Sequence, residues 1–136
     1  MISHQPPVGS ILLCDFAGMT PPEMVKRRDV VVIARNRNKQ LVTVVPLSTT
    51  RPERLQPYHH PLSFDPRPDG DTMRQVWVKS DMLYTVSLAR LDRYRRRAGG
   101  GWQFINVTVP AAEFETIRKC VAIALQLADN EDVTTA

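Results

Sequence analysis

Histidine is the side chain that most readily exchanges protons near neutral pH, and this sequence places two side by side, His59 and His60. They stand in a stretch rich in proline, arginine and aspartate, Thr50 to Asp71. A surface loop is the default there, so a solvated pair is weighed beside a catalytic one. Cys14 and Cys120 do not have the spacing of a metal site or a small disulfide framework, and they read as buried thiols in a reducing compartment. With no Cys/His cluster and no dense set of carboxylates, no metal site and no cofactor is expected. Arginine is more conspicuous: Arg90, Arg93, Arg95, Arg96 and Arg97 fall in one short run. Such a run is ordinarily a solvated face, but it could also draw in a phosphate backbone without sequence choice. Trp77, Tyr84 and Trp102 offer rings on which bases could stack. Trp77 and Trp102 sit in apolar strand patterns that favour core packing, which leaves Tyr84 as the better stacking candidate.

These groups need a scaffold, and the apolar pattern supplies one. Ile11 to Phe16 is a short apolar run, and Asp29 to Ala34 is rich in β-branched residues; both read as buried strands. Between them, Gly18 to Lys26 contains Pro21 and Pro22, which predicts a loop longer than a hairpin needs, of the kind that carries function. The polar turn Asn36 to Lys39 and the strand Leu41 to Val45, stopped by Pro46, complete a hairpin. An edge strand within His60 to Phe64 and strands at Gln75 to Lys79 and Trp102 to Val109 follow, with a turn or single helical turn over Ser80 to Val86. Ala89 to Arg95 fits a strand or a helix. Only after Pro110 is the spacing helical, through Phe114, Ile117, Val121 and Leu125, fading near Ala128. Strands followed by one helix point to a mainly β chain, a small barrel closed by a C-terminal helix.

The chain has 136 residues and is 43% hydrophobic, enough for a single domain over 1–128 without staples, with 129–136 as a small polar tail expected to be disordered. Lys plus Arg number 18 against 14 Asp plus Glu, a net charge of +4, which is compatible with a polyanionic partner. The polar start, Met1 to Pro7, lacks the apolar core of a signal peptide, and no run approaches a membrane span. A cytoplasmic protein without a membrane partner is expected.

Three segments in order resemble the MazF/PemK toxin family. The first is Gly9-Ser10-Ile11-Leu12-Leu13-Cys14-Asp15-Phe16. The second joins Glu23 and Arg28-Asp29-Val30-Val31-Val32-Ile33 to Val44-Val45-Pro46-Leu47-Ser48-Thr49. The third is Val78-Lys79-Ser80-Asp81-Met82-Leu83-Tyr84-Thr85-Val86, with Arg90-Leu91 beyond. The chain departs from the family at Asp29 (usually Pro), Ser48 (usually Thr), Met82 (usually Gln) and Tyr84 (usually Arg), and Arg51 to Arg74 is longer and richer in proline. These departures touch substrate choice more than fold.

The resemblance implies an SH3-like barrel that forms a homodimer, cleaves single-stranded RNA without a metal, and is held inactive by a cognate antitoxin. It points to Arg28, Ser48 and Glu23 as catalytic and to Lys79 and Asp81 as RNA-binding; Arg27, Thr49 and, as a stacking ring, Tyr84 are taken as RNA-binding beside them. The chemistry is coherent, because RNA brings its own nucleophile, the ribose 2′-hydroxyl. Arg28 could hold the phosphate oxygens, Ser48 could donate a hydroxyl, and Glu23 could orient Arg28 or accept a proton. Each has a plainer reading: Arg28 as one more exposed arginine, Glu23 as loop solvation, Ser48-Thr49-Thr50 as satisfying a strand end, and Asp81 as a turn cap. A non-catalytic SH3-like binding module, or a CcdB-like toxin that binds a protein target, would need no Arg28/Ser48 pair at one groove.

Overall fold

The computed structural model describes residues 2–67 and 74–129. Ten strands and one helix follow in chain order: β1 (Ser10–Asp15), β2 (Arg27–Arg35), β3 (Leu41–Ser48), β4 (His59–Pro61), β5 (Trp77–Lys79), β6 (Tyr84–Ser87), β7 (Leu91–Asp92), β8 (Tyr94–Ala98), β9 (Gly101–Ile105), β10 (Val107–Thr108) and α1 (Ala111–Ala124). One antiparallel sheet runs β10-β1-β2-β3-β5-β4, with β6 also on β3 and β7 also on β1, while β8 and β9 form a separate hairpin. The sheet curls into a half-open barrel, mainly β with one C-terminal helix.

The three central strands are apolar on both faces, which is why they read as continuous runs. Side chains alternate along each strand. Ile11, Val31, Val45 and Leu47 join one core with Val78 and, from α1, Ile117 and Val121. Leu12, Cys14, Val30, Val32, Val42 and Val44 join a second with Phe16, Val86, Leu88 and Leu91. Burying a Val or Leu side chain stabilises by about 1.5–3 kcal/mol, so filling both faces fixes the register of β1, β2 and β3 twice over.

Strand β3 changes outer partner along its length. Leu41 to Val44 pair with β6, whereas Leu47 and Ser48 pair with β5. Between them stands Pro46, which has no N–H to give to a ladder. The chain from Lys79 to Tyr84 bows outward there through a turn in which the Met82 N–H donates to the Lys79 carbonyl (3.1 Å).

Several local expectations are corrected. The segment expected to be a turn over Ser80 to Val86 ends in a true strand, β6, because Thr85 and Val86 find partners on Thr43 and Val42. Ala89 to Arg95 is neither one strand nor a helix: a 3-10 turn (Leu88–Arg90) leads into β7 and β8. The edge strand is His59–Pro61 rather than His60 to Phe64. The helix stops at Ala124, where Gln126 takes φ 62° and the Leu127 N–H closes on the Ala122 carbonyl at 2.8 Å, leaving Leu125 exposed. Trp77 is buried as expected, but Trp102 is 64% exposed. Its strand alternates, yet among the described residues only arginine side chains lie against that face. The tail after residue 129 lies outside the described residues.

The second half of the long insert is tied to β2, to itself and to α1. Arg67 reaches Asp29 on β2 with two nitrogens, at 3.2 and 3.3 Å. Arg74 holds Asp65 the same way, at 3.0 and 3.2 Å. Burial pushes the Asp65 carboxyl up, but hydrogen bonds from Arg74 and Arg67 outweigh it and hold the group below its usual range. Glu113, at the start of α1, accepts from the Ser63 hydroxyl (2.6 Å) and backbone N–H (2.9 Å) and lies 2.7 Å from His60 Nε2.

Candidate active site at the sheet rim

The register places the sequence candidates. The β2–β3 ladder ends at Val30↔Pro46, and two residues further along each strand stand Arg28 and Ser48. Arg28 lies opposite Cys14 on β1, and Ser48 lies opposite Trp77 on β5. Two-residue alternation puts Arg28 on the face of Val30 and Val32, and Ser48 on the face of Val42 and Val44. Both therefore end on the side of the second core, at one rim, away from the Asn36 to Lys39 turn.

The Arg28 guanidinium is incompletely satisfied. Its Nε is buried and has no hydrogen-bond partner, and among the described residues Arg28 makes no ion pair. A buried cationic donor left open costs free energy that an incoming anion would recover. Ser48 is nearly buried, and its Oγ accepts the Thr50 N–H at 3.1 Å. That bond uses a lone pair and leaves the hydroxyl proton free to donate. Thr49 is exposed at the strand end. Cys14, facing Arg28, is no nucleophile: burial pushes its thiol up to about 12, against the opposing pull of Arg90.

Glu23 is not brought to Arg28. Its Oε1 accepts the Thr20 N–H (2.8 Å) and its own N–H donates to the Thr20 carbonyl (2.9 Å), a β-turn closed from both sides that organises the loop. The loop packs Met19 and Met24 on the second core. Tyr84 is a loop anchor: its hydroxyl accepts the Met24 N–H (2.9 Å) and its ring leans on Phe16, centroids 5.0 Å apart. Arg90 anchors the other end, donating from Nη1 to the carbonyls of Asp15 (2.9 Å) and Ala17 (2.8 Å). Sequence reasoning placed Arg90 in a basic run and, with Leu91, at the end of the third family-like segment; that match, and its position directly before the buried Leu91, are the signals that it could be held inward.

Lys79 pairs with His59 across β5 and β4, on the same face of β5 as Trp77, and Asp81 is exposed beyond it. His59 Nδ1 accepts the Gln56 N–H at 3.0 Å, so the neutral ring carries its proton on Nε2. Burial lowers its pKa, with Lys79 adding to the effect and Asp81 opposing it. His60 is committed to Glu113 and is a structural tie. Arg27, one residue before Arg28, is exposed on the opposite face of β2.

Among the described residues, no group of three or more His, Cys, Asp or Glu side chains could hold a metal ion, and no helix is long and apolar enough to cross a membrane.

Known proteins resemble this chain in sequence or in fold. The Escherichia coli (strain K12) protein YifN is 31% identical over 140 residues, covering 88% of this chain and 91% of its own. A solved endoribonuclease in complex with its cognate antitoxin, from a mycobacterial species, superposes with a TM-score of 0.59 at 22% identity, over 92% of this chain and 99% of that one. The crystal structure of MazF from Deinococcus radiodurans gives a TM-score of 0.62 at 16% identity, over 89% and 96%. The model of the PemK-like, MazF-like toxins of type II toxin–antitoxin systems matches residues 8–125, and the chain belongs to that family.

Proposed function

We propose that this protein is the toxin of a type II toxin–antitoxin pair and an endoribonuclease that cleaves single-stranded RNA without a metal ion. The observation that carries the reading is the open Arg28 donor at the same rim as the free Ser48 hydroxyl. A phosphodiester seated there meets a charged donor and a neutral one, both held by strands rather than by loops. The ribose 2′-oxygen attacks phosphorus, and its proton passes to the free carboxylate oxygen of Glu23 as the loop swings over the rim. Arg28 and Ser48 hold the non-bridging oxygens while charge builds on them. The P–O5′ bond breaks, the leaving oxygen takes a proton from water, and a 2′,3′-cyclic phosphate remains. Lys79, Asp81, Thr49 and Arg27 border the path of the strand. A cognate antitoxin would inhibit by presenting carboxylates to the same donors, and the active form is a homodimer.

The rival readings, a silent binding module or a toxin directed at a protein, have no use for two phosphate donors side by side. The test is incubation of the purified protein with a long single-stranded RNA in excess EDTA, with the new ends analysed by mass spectrometry. Cyclic phosphate ends that vanish with Arg28→Ala support the reading, and intact RNA under all conditions sinks it.

A further inference from the structure

The hairpin of β8 and β9 projects from the barrel with a face the proposed cleavage chemistry does not use. Arg95 is paired with Phe104 and Arg97 with Trp102, so these side chains share one face of the ribbon. The Arg93 guanidinium lies 4.0 Å over the Phe104 ring, and those of Arg95 and Arg97 lie 5.8 and 5.2 Å from the Trp102 centroid. Trp102 is 64% exposed and Phe104 50%. Where the hairpin meets the sheet, a cleft of about 510 Å³ is lined by Arg27, Arg67, Arg93 and Arg95, with Trp102 at its edge and Tyr94 in its wall. Arg67 is already bonded to Asp29. Among the described residues, Arg27, Arg93, Arg95 and Arg97 make no ion pair. Burial and the neighbouring Asp29 carboxylate keep Tyr94 protonated and uncharged, so the phenol adds no charge to offset the guanidiniums.

We propose that this cleft is a second nucleic-acid subsite: it holds a backbone phosphate among Arg27, Arg93 and Arg95 while a base stacks on Trp102. Arginines alone would suit an acidic peptide equally well. The exposed indole beside the guanidiniums of Arg95 and Arg97 favours a nucleic acid, because a base offers a flat π-face and a carboxylate side chain does not. Continuity favours it too. Arg27 and Arg28 are consecutive on β2 and point to opposite faces at the same rim, so a strand engaged at Arg28 need only turn over the rim to reach the cleft. The proposal rests on the reading of the chain as acting on single-stranded RNA, and it adds the place where the flanking strand is held.

The experiment uses a labelled 2′-O-methyl oligoribonucleotide of roughly ten nucleotides, within the span of single-strand binding sites. Without a free 2′-hydroxyl it cannot be cleaved, so binding is read apart from catalysis. Tryptophan fluorescence and anisotropy are followed in the wild type, Trp102→Ala, Arg95→Gln and Arg28→Ala. Since Trp77 is buried, quenching reports Trp102. Expected are saturable quenching, about tenfold or greater weakening by Trp102→Ala, and a salt dependence shallower by about 0.7 in log–log slope for Arg95→Gln. Arg28→Ala should keep the quenching. Unchanged affinity in both Trp102→Ala and Arg95→Gln overturns the proposal even if RNA is cleaved normally. So does quenching by poly-glutamate but not by the oligonucleotide. If long RNA stays intact while the oligonucleotide behaves as described, the cleavage reading fails and the subsite stands.

Discussion

At the scale of single residues, Arg28 and Ser48 differ in what they owe the fold. Arg28 has an open donor and no ion pair among the described residues, so Arg28→Ala should leave the melting temperature nearly unchanged. Cleavage should slow by on the order of a hundredfold or more, the effect of losing a preorganised transition-state donor. Ser48→Ala should cost less, a neutral hydroxyl being the weaker donor. Initial rates on a defined RNA, beside thermal melts, check both; wild-type rates in both folded variants would put the chemistry elsewhere. Tyr84→Phe removes the acceptor of the Met24 N–H but keeps the ring on Phe16. It should cost about 1 kcal/mol and lower kcat by loosening the Met24 anchor about which the loop must swing, so that Glu23 settles over the rim less often; a variant as active as wild type would show that this anchor is immaterial. The placement of Arg28 and Ser48 at one rim was legible in the sequence because strand register carries a motif directly into space. The partners of Glu23 and Tyr84 were not, because each depends on how a proline-containing loop lies over a core formed by other segments.

At the scale of elements, the joint between the insert and α1 rests on Glu113. Burial works against its charge, but hydrogen bonds from Ser63 and His60 prevail and hold its carboxyl below the ordinary 4.5. A depressed carboxylate stabilises the fold fully above its unfolded pKa and loses that contribution as pH falls through the folded one. The gap in unfolding free energy between wild type and Glu113→Gln should therefore be widest near neutrality, at about 1–3 kcal/mol, and should close well below pH 4.5. A gap independent of pH would mean the charge plays no part. The helix and the first three strands could be read from sequence because they are long or buried on both faces. Strand β9 was also expected, within Trp102 to Val109, but β6 and β8 could not be read, since short elements take their identity from neighbours. Trp102 shows the reason: alternation tells which face a side chain takes, not whether anything lies on it.

At the scale of the whole molecule, the sheet ends in two short strands, β10 and β4, and such edges are commonly covered by a second chain. Light scattering at micromolar concentration should give twice the 15.4 kDa chain mass; a monomer throughout would refute the dimer. The doubly buried central strands bear on the chain before it folds. Val30-Val31-Val32-Ile33 has no polar face to show water, and an unfolded chain exposes it as a ready seed for intermolecular β-pairing. Arg27, Arg28 and Asp29 stand immediately before it and Arg35 shortly after, the arrangement by which charges keep such a segment from self-association. The rim arginine thus serves the nascent chain as well as the folded one. Arg28→Ala should refold from denaturant with more turbidity at high protein concentration, though its folded state is as stable, whereas Ser48→Ala should refold like the wild type.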